Sequence, residues 1–142
     1  MREILFRGKT PITSKWAFGT GLLYDGINTW IVDNPTLEPL AFGTRKATAI
    51  PESIGQYTGL TDSNGKGIFE GDICRFREWS NGDMCWIGKV NYEHQQFVIS
   101  GGKNKECATP FTIAMSRFIP ENIEVIGNIH DNPELLKGGV QE

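Results

Sequence analysis

Turn-forming residues interrupt this chain so often that no long helix fits between them. The 142 residues include seventeen glycines and seven prolines, and both residue types favour turns over regular helix. The eight phenylalanines, four tryptophans and three tyrosines pack well on the pleated surface of a sheet. Closely spaced short strands are typical of a barrel or sandwich. The sequence therefore predicts a mainly β protein, formed as a single domain with a smaller N-terminal lobe.

The N-terminal lobe, about residues 1–50, is predicted to be a β-hairpin unit. Asp25 and Gly26 offer a tight turn between two apolar runs, which is a hairpin signal. The prolines of residues 33–53 indicate an irregular connection to the second half of the chain. The strand candidates of this part are residues 3–7, 16–24, 28–32, 40–42 and 48–50.

Residues 53–130 predict a small barrel that resembles the SH3 type. Asn64-Gly65 between two apolar runs is a strong hairpin signal, and residues 109–118 fit either a strand or helical turns. Asn132 and Pro133 favour the start of one short helix over residues 132–137, which leaves 138–142 as a frayed tail. The strand candidates are residues 53–60, 67–69, 73–79, 84–92, 95–99 and 123–129.

Two long stretches of the chain resemble the signatures of the YopX family. The first is SIGQYTGLTDSNGK at residues 53–66, followed by IFEGDI at 68–73, and the second is IEVIGNIHDNPELL at 123–136. The opening MREILFRGK and the aromatic run at 16–24 are also similar to the start of that family. The resemblance covers nearly the whole chain, and a single YopX-like domain over residues 1–137 is expected.

The resemblance implies a small phage or prophage accessory protein with a mainly β fold and no established biochemical role. It supplies no catalytic residues. We therefore expect a non-catalytic protein-binding module whose partner is a host or phage protein. The chain has no long apolar stretch of the kind that forms a secretory signal or a membrane span. This absence predicts the cytoplasm of the bacterial host cell.

Catalytic, metal and cofactor sites are not predicted. Cys74 or Cys85 with His94 would make a Cys–His pair, but no nucleophile motif surrounds either cysteine. Three cysteines at irregular spacing favour free thiols over disulfides. Glu70 and Asp72 flank Gly71, and a structural Gly-Asp turn explains them better than a pair of catalytic carboxylates.

One strand pair carries the best candidate binding site. Arg75, Arg77 and Trp79 fall on one face of a strand by its two-residue period, with Trp86 and Lys89 on the next strand. Such a basic and aromatic strip suits stacking of bases or binding of a protein. The competing interpretation is a solvated strand whose tryptophans are half buried.

Three alternatives to a protein-binding module stay open at this point. The strip allows a nucleic-acid-binding module, although a net charge of −3 argues against non-specific nucleic-acid binding. An enzyme of unrecognised type is the second alternative. Self-association is the third, since small β proteins have exposed sheet edges.

Overall fold

The computed structural model describes residues 3–33, 45–77, 85–101 and 111–140. As predicted, these residues are mainly β, and their strands form three antiparallel sheets. The strands are β1 (Phe6–Lys9), β2 (Trp16–Gly19), β3 (Gly21–Tyr24), β4 (Thr29–Asp33), β5 (Arg45–Ala49), β6 (Gly55–Thr61), β7 (Gly67–Phe69), β8 (Asp72–Arg77), β9 (Cys85–Glu93), β10 (Gln96–Gly101), β11 (Phe111–Ala114) and β12 (Ile123–Asn128).

The chain divides into two compact units, residues 1–59 and 60–142. The first unit holds β2, β1 and most of β6 in one sheet, and β3, β4 and β5 in another. β6 crosses the division, and its end in the second unit is followed by β7 as the next strand of the sheet. The second unit also holds a five-stranded sheet in the order β11-β10-β9-β8-β12.

The hairpin predicted in the first unit is confirmed as β3 and β4. Asp25 closes its turn, because the Asp25 N–H donates to the Asn28 carbonyl at 3.2 Å. The Asp25 carboxylate also accepts from the N–H groups of Ile27 and Asn28 at 2.8 and 2.7 Å. These backbone hydrogen bonds, opposed by slight desolvation, hold the pKa of Asp25 below its ordinary value.

Three local predictions for the first unit need correction. Residues 3–5 lie outside the first strand, which begins at Phe6. The aromatic run is two strands in different sheets, because the chain leaves one sheet after Gly19 and enters the other at Gly21. The predicted connection is less irregular than expected, because the strand candidate at 48–50 is part of β5 (Arg45–Ala49), which pairs along the whole of β4. The strand candidate at residues 40–42 lies outside the described residues.

The core of the first unit is small and includes a buried hydroxyl. Ile31 and Ala49 are buried between the elements of this unit. Ser53, in the 3₁₀ helix Pro51–Ser53, accepts from the Lys9 N–H and donates to the Ile50 carbonyl, both at 2.7 Å. Because its hydroxyl both donates and accepts, its burial leaves no unsatisfied polar group.

The hairpin that Asn64-Gly65 predicts is confirmed between β6 and β7. Gly65 has a positive φ of 80°, which glycine adopts without steric cost. Asn64 does not have a positive φ, so this is not the type of hairpin turn that needs positive φ at both central residues. The Gly65 N–H donates to the Asp62 carbonyl at 3.0 Å, which closes the turn.

The main core lies on one face of the five-stranded sheet. A cluster of aliphatic, aromatic and sulfur side chains is almost fully excluded from solvent there. Its buried members are Ile68, Cys74, Phe76, Val90, Ile99, Met115 and Ile123. Cys74 is a free thiol inside this cluster, as predicted for a cysteine that acts as a small hydrophobe.

The SH3-like detail of the prediction is not confirmed, because the described strands of this sheet do not close into a barrel. The ambiguous segment 109–118 contains both alternatives, since β11 runs directly into the 3₁₀ helix Met115–Arg117. β12 has a bulge between Val125 and Gly127. The bulge shifts the strand's register there and accounts for the poor alternation of its apolar residues.

The C-terminal helix was predicted at the right place but with the wrong length. It is a 3₁₀ helix that runs from Pro133 to Val140, so residues 138–140 continue the helix. The Asn132 side-chain oxygen accepts from the Asn128 N–H at 3.3 Å, which ties the start of the helix to the end of β12. No helix within the described residues has the length and apolar character needed to cross a membrane.

Candidate functional site

An open groove of about 470 Å³ lies at the β12 edge of the second unit. Its polar lining comes from the turn after β6, from β8, from the 3₁₀ helix Pro120–Asn122 and from β12. The lining residues are Ser63, Arg75, Phe76, Glu121, Asn122, Ile123 and Glu124. One of the five predicted site residues, Arg75, is therefore part of it.

An ion pair sits in the lining of the groove. Arg75 on β8 lies directly opposite Glu124 on β12, and the guanidinium donates to the Glu124 carboxylate at 3.1 Å. The side chains keep 47% and 41% of their surface exposed, so the pair contributes at most about 1 kcal/mol to stability. Because both side chains are partly exposed, the ion pair leaves both charged groups accessible to a ligand.

The Asp62 turn fixes one wall of the groove to β12. The Ser63 N–H donates to the Ile123 carbonyl at 2.9 Å, and the Val125 N–H donates to the Asp62 carboxylate at 2.9 Å. The same carboxylate accepts from the N–H groups of Asn64 and Lys66, both at 2.9 Å. This set of bonds holds the turn against the edge strand.

The charge state of Asp62 follows from these bonds. Burial disfavours the carboxylate and by itself raises the pKa. The N–H groups of Val125, Lys66 and Asn64 outweigh this effect, with help from the Lys66 charge, and the net pKa of Asp62 lies below its ordinary value. Asp62 is therefore ionised near neutral pH.

The predicted strip is divided between two faces of the sheet. Arg75 lies opposite Ile87 and Lys89 lies opposite Ile73, so Arg75 and Lys89 share one face. Arg77 lies opposite Cys85 at the end of β8. Trp86 lies opposite Phe76 on the core face, and Trp79 lies outside the described residues.

Trp86 belongs to an aromatic cluster. Its ring stacks on Phe76 at 6.4 Å between centroids and meets the edge of Phe111 at 5.3 Å. Phe118 packs on the same Phe76 ring at 4.9 Å. The Trp86 Nε1 is buried and has no hydrogen-bond partner among the described residues. Trp86 is therefore placed for packing on the core face and not beside Arg75.

The structure locates three residues of the catalytic alternatives, His94, Cys74 and Asp72. His94 is exposed in the turn between β9 and β10, whereas Cys74 is fully buried in the core. The buried Asp72 carboxylate accepts from the Phe69 N–H at 2.8 Å, which makes the Gly-Asp turn a structural one. The described part of the chain brings together no group of three or more metal-ligating side chains.

The sequence does not predict the other residues of the groove. Ser63, Glu121 and Glu124 reach the groove only because β12 pairs with β8 on the side away from β9. The sequence signal that bears on this pairing is the match of charges at Arg75 and Glu124. Opposite charges facing each other across an antiparallel pair are favourable, but a single match does not identify a register.

Comparison with known proteins gives a family and a fold. The family model described as YopX protein matches residues 5–137, and no curated protein matches. A crystal structure of protein EF1440 from Enterococcus faecalis is similar, with a TM-score of 0.55 and 22% sequence identity. The match covers 96% of this chain and 99% of that one.

Proposed function

The chain belongs to the YopX protein family, and from this premise we propose that it is a phage or prophage accessory protein that binds another protein without catalysis. The groove between β8 and β12 is the proposed binding surface. The observation that carries the proposal is the mixed charge of the groove, where Arg75 stands among Glu121 and Glu124. The proposed partner is a host or phage protein in the bacterial cytoplasm.

The charges of the groove favour a polypeptide over a nucleic acid. The only cation among its lining residues, Arg75, is already bonded to Glu124, and the Glu121 carboxylate is exposed. Phosphate groups are repelled by such a surface, since nucleic-acid affinity depends on unopposed basic groups. A polypeptide presents donors, acceptors and charges of both signs, which match the groove.

The shape of the groove favours a polypeptide over a small molecule. Pockets for small ligands are enclosed and mostly apolar, whereas this groove is open and lined by polar and charged side chains. Partner proteins form hydrogen bonds across polar, solvent-accessible rims of this kind.

Capture from a bacterial lysate tests the proposal with a matched pair of variants. The tagged full chain is incubated with lysate, with and without nuclease, and bound proteins are identified by mass spectrometry. Glu121→Lys reverses one exposed charge in the groove, and Glu52→Lys makes the same change at an exposed position of the first unit. Both changes are expected to alter stability by less than about 0.5 kcal/mol.

We expect a nuclease-resistant protein that binds the wild type and Glu52→Lys but not Glu121→Lys. A partner retained equally by both variants would contradict the assignment to the groove. Capture that disappears with nuclease would contradict protein binding and favour the nucleic-acid alternative. Arg75 and Lys89, which share one face of the sheet, would then be the next residues to substitute.

A further inference from the structure

The strand β3 is an apolar edge of the first unit. Among the described strands it has a neighbour on one side only, since its sheet runs in the order β3-β4-β5. Leu22, Leu23 and Tyr24 keep 41%, 39% and 71% of their surface exposed. Gly21–Tyr24 contains no charged residue and no proline, although these are the devices that usually prevent strand addition at an edge.

The register of the hairpin shows which backbone groups of β3 face away from β4. The Asp25 N–H bonds to the Asn28 carbonyl, so Asp25 and Asn28 form a hydrogen-bonded pair. Because such pairs alternate along an antiparallel ladder, Leu23 bonds to Trp30, which is its partner in the register. Leu22 and Tyr24 therefore direct their N–H and C=O groups outward from the sheet.

We propose that β3 pairs antiparallel with β3 of a second copy of this chain, around a two-fold axis at Leu23. Leu22 of each copy then exchanges hydrogen bonds with Tyr24 of the other copy, which gives four backbone bonds. Leu23 faces Leu23 of the second copy as a non-hydrogen-bonded pair, in which side chains approach most closely. The two three-stranded sheets become one sheet of six strands.

The occupant is a second copy because this edge is complementary to itself. The outward groups at Leu22 and Tyr24 stand symmetrically about Leu23, as a two-fold interface requires. Asp25, the nearest charged residue, falls opposite Gly21 of the second copy in this register, so no like charges oppose each other. The proposal goes beyond the proposed function, since β3 and the groove belong to different units.

Charge substitution at Leu23 tests both the pairing and its register. Leu23→Lys places two like charges opposite each other on the axis, and Leu23→Asp does the same with the other sign. We expect sedimentation equilibrium to give twice the chain mass for the wild type and the single chain mass for each variant alone. An equimolar mixture of the two variants is expected to regain the doubled mass, since Lys then faces Asp.

Backbone substitution gives a second test with its own control. Leu22→Pro removes an outward N–H without removing a bond to β4, and proline is tolerated on edge strands. Leu22→Ala keeps that N–H. We expect the proline variant to raise the dimer dissociation constant at least tenfold relative to the alanine variant, with circular dichroism showing that both are folded.

A third test, amide hydrogen exchange of the wild-type chain, does not require that any variant folds. The Leu22 and Tyr24 amides are expected to exchange more slowly as the protein concentration rises, while the Leu23 amide, bonded to Trp30 in either state, changes less. A single chain mass for the wild type at all concentrations would overturn the proposal. So would a dimer whose mass is unaffected by the Leu23 variants, or exchange at Leu22 and Tyr24 that is independent of concentration.

Discussion

At the residue scale, one carboxylate links parts of the chain that are far apart in sequence. Asp62 accepts from two N–H groups of its own turn and from Val125 of β12. The sequence predicts the local bonds, because Asp before Asn-Gly commonly caps a turn. It does not predict the bond to Val125, since that depends on which strand lies against the turn.

Asp62→Asn is expected to destabilise the protein by about 1–3 kcal/mol at pH 7, because at least one partly buried N–H then faces an amide NH₂ in place of an oxygen. The folded-state pKa is lowered, so the stabilisation from Asp62 is fully present above its unfolded pKa. It is lost as the pH falls through the folded pKa. Urea unfolding at pH 7 and again in the acid range below pH 4 measures the difference between the two proteins.

The gap between wild type and Asp62→Asn is expected to narrow in acid, where the protonated carboxyl resembles the amide. Asp25→Asn is the control, because the Asp25 carboxylate also caps a turn with a lowered pKa but is exposed and accepts from N–H groups of its own turn. An Asp62→Asn protein whose deficit is equal at both pH values would contradict this account.

At the same scale, the turn between β9 and β10 shows a limit of sequence interpretation. His94 and Gln95 have positive φ values of 51° and 64°, although neither is glycine or asparagine. Positive φ is uncommon for residues other than glycine, and neither residue is among the usual turn formers, so the pair gives only a weak turn signal. The pairing of Glu93 with Gln96 imposes the turn, and the sheet on either side stabilises it.

At the scale of elements, the sequence predicts the strands better than their partners. Most described strands overlap their predicted positions, because alternation and turn residues are local properties. The pairing of β12 with β8, the change of sheet after Gly19 and the bulge in β12 all depend on contacts between distant residues. The groove is built from such contacts, so only Arg75 of its charged residues was predicted.

Gly88 of β9 lies where the neighbouring strand β10 packs closely against it. A Cβ at Gly88 would lie 2.7 Å from the Ser100 carbonyl oxygen and 3.0 Å from the Ile99 side chain. Gly88→Ala must therefore displace the backbone of β10, and we expect a loss of about 1–3 kcal/mol of stability. Chemical denaturation of the variant measures it.

Gly21→Ala in β3 is the matched control for Gly88→Ala, since a Cβ there has no neighbour within 4 Å. It is expected to leave stability unchanged or slightly raised, because alanine restricts the unfolded chain. Equal losses at both positions would show that strand propensity, and not the contact with Ser100, determines the cost.

At the scale of the whole molecule, each unit has a core of its own. Ile31 is buried in the first unit and Ile99 in the second. We expect Ile31→Val and Ile99→Val to lower the free energy of unfolding by about 0.5–1.5 kcal/mol each. The double variant should show the sum to within about 0.5 kcal/mol, since the core cluster that contains Ile99 does not include Ile31.

A double variant within the core of the second unit is the comparison for the Ile31 and Ile99 double variant. Val90 faces Ile99 across β9 and β10, so Val90→Ala combined with Ile99→Val is expected to depart from additivity. Urea unfolding of all the single and double variants measures both couplings. A coupling between Ile31 and Ile99 as large as that between Val90 and Ile99 would contradict separate cores.

The place of β12 in its sheet also has a consequence during synthesis on the ribosome. β8 pairs with β9 on one side and with β12 on the other, yet β12 is translated after all the other described strands. Until it emerges, one side of β8 is open and Arg75 lacks Glu124. The groove therefore forms only after residues 123–128 have been translated, so a nascent chain that has not reached β12 lacks it.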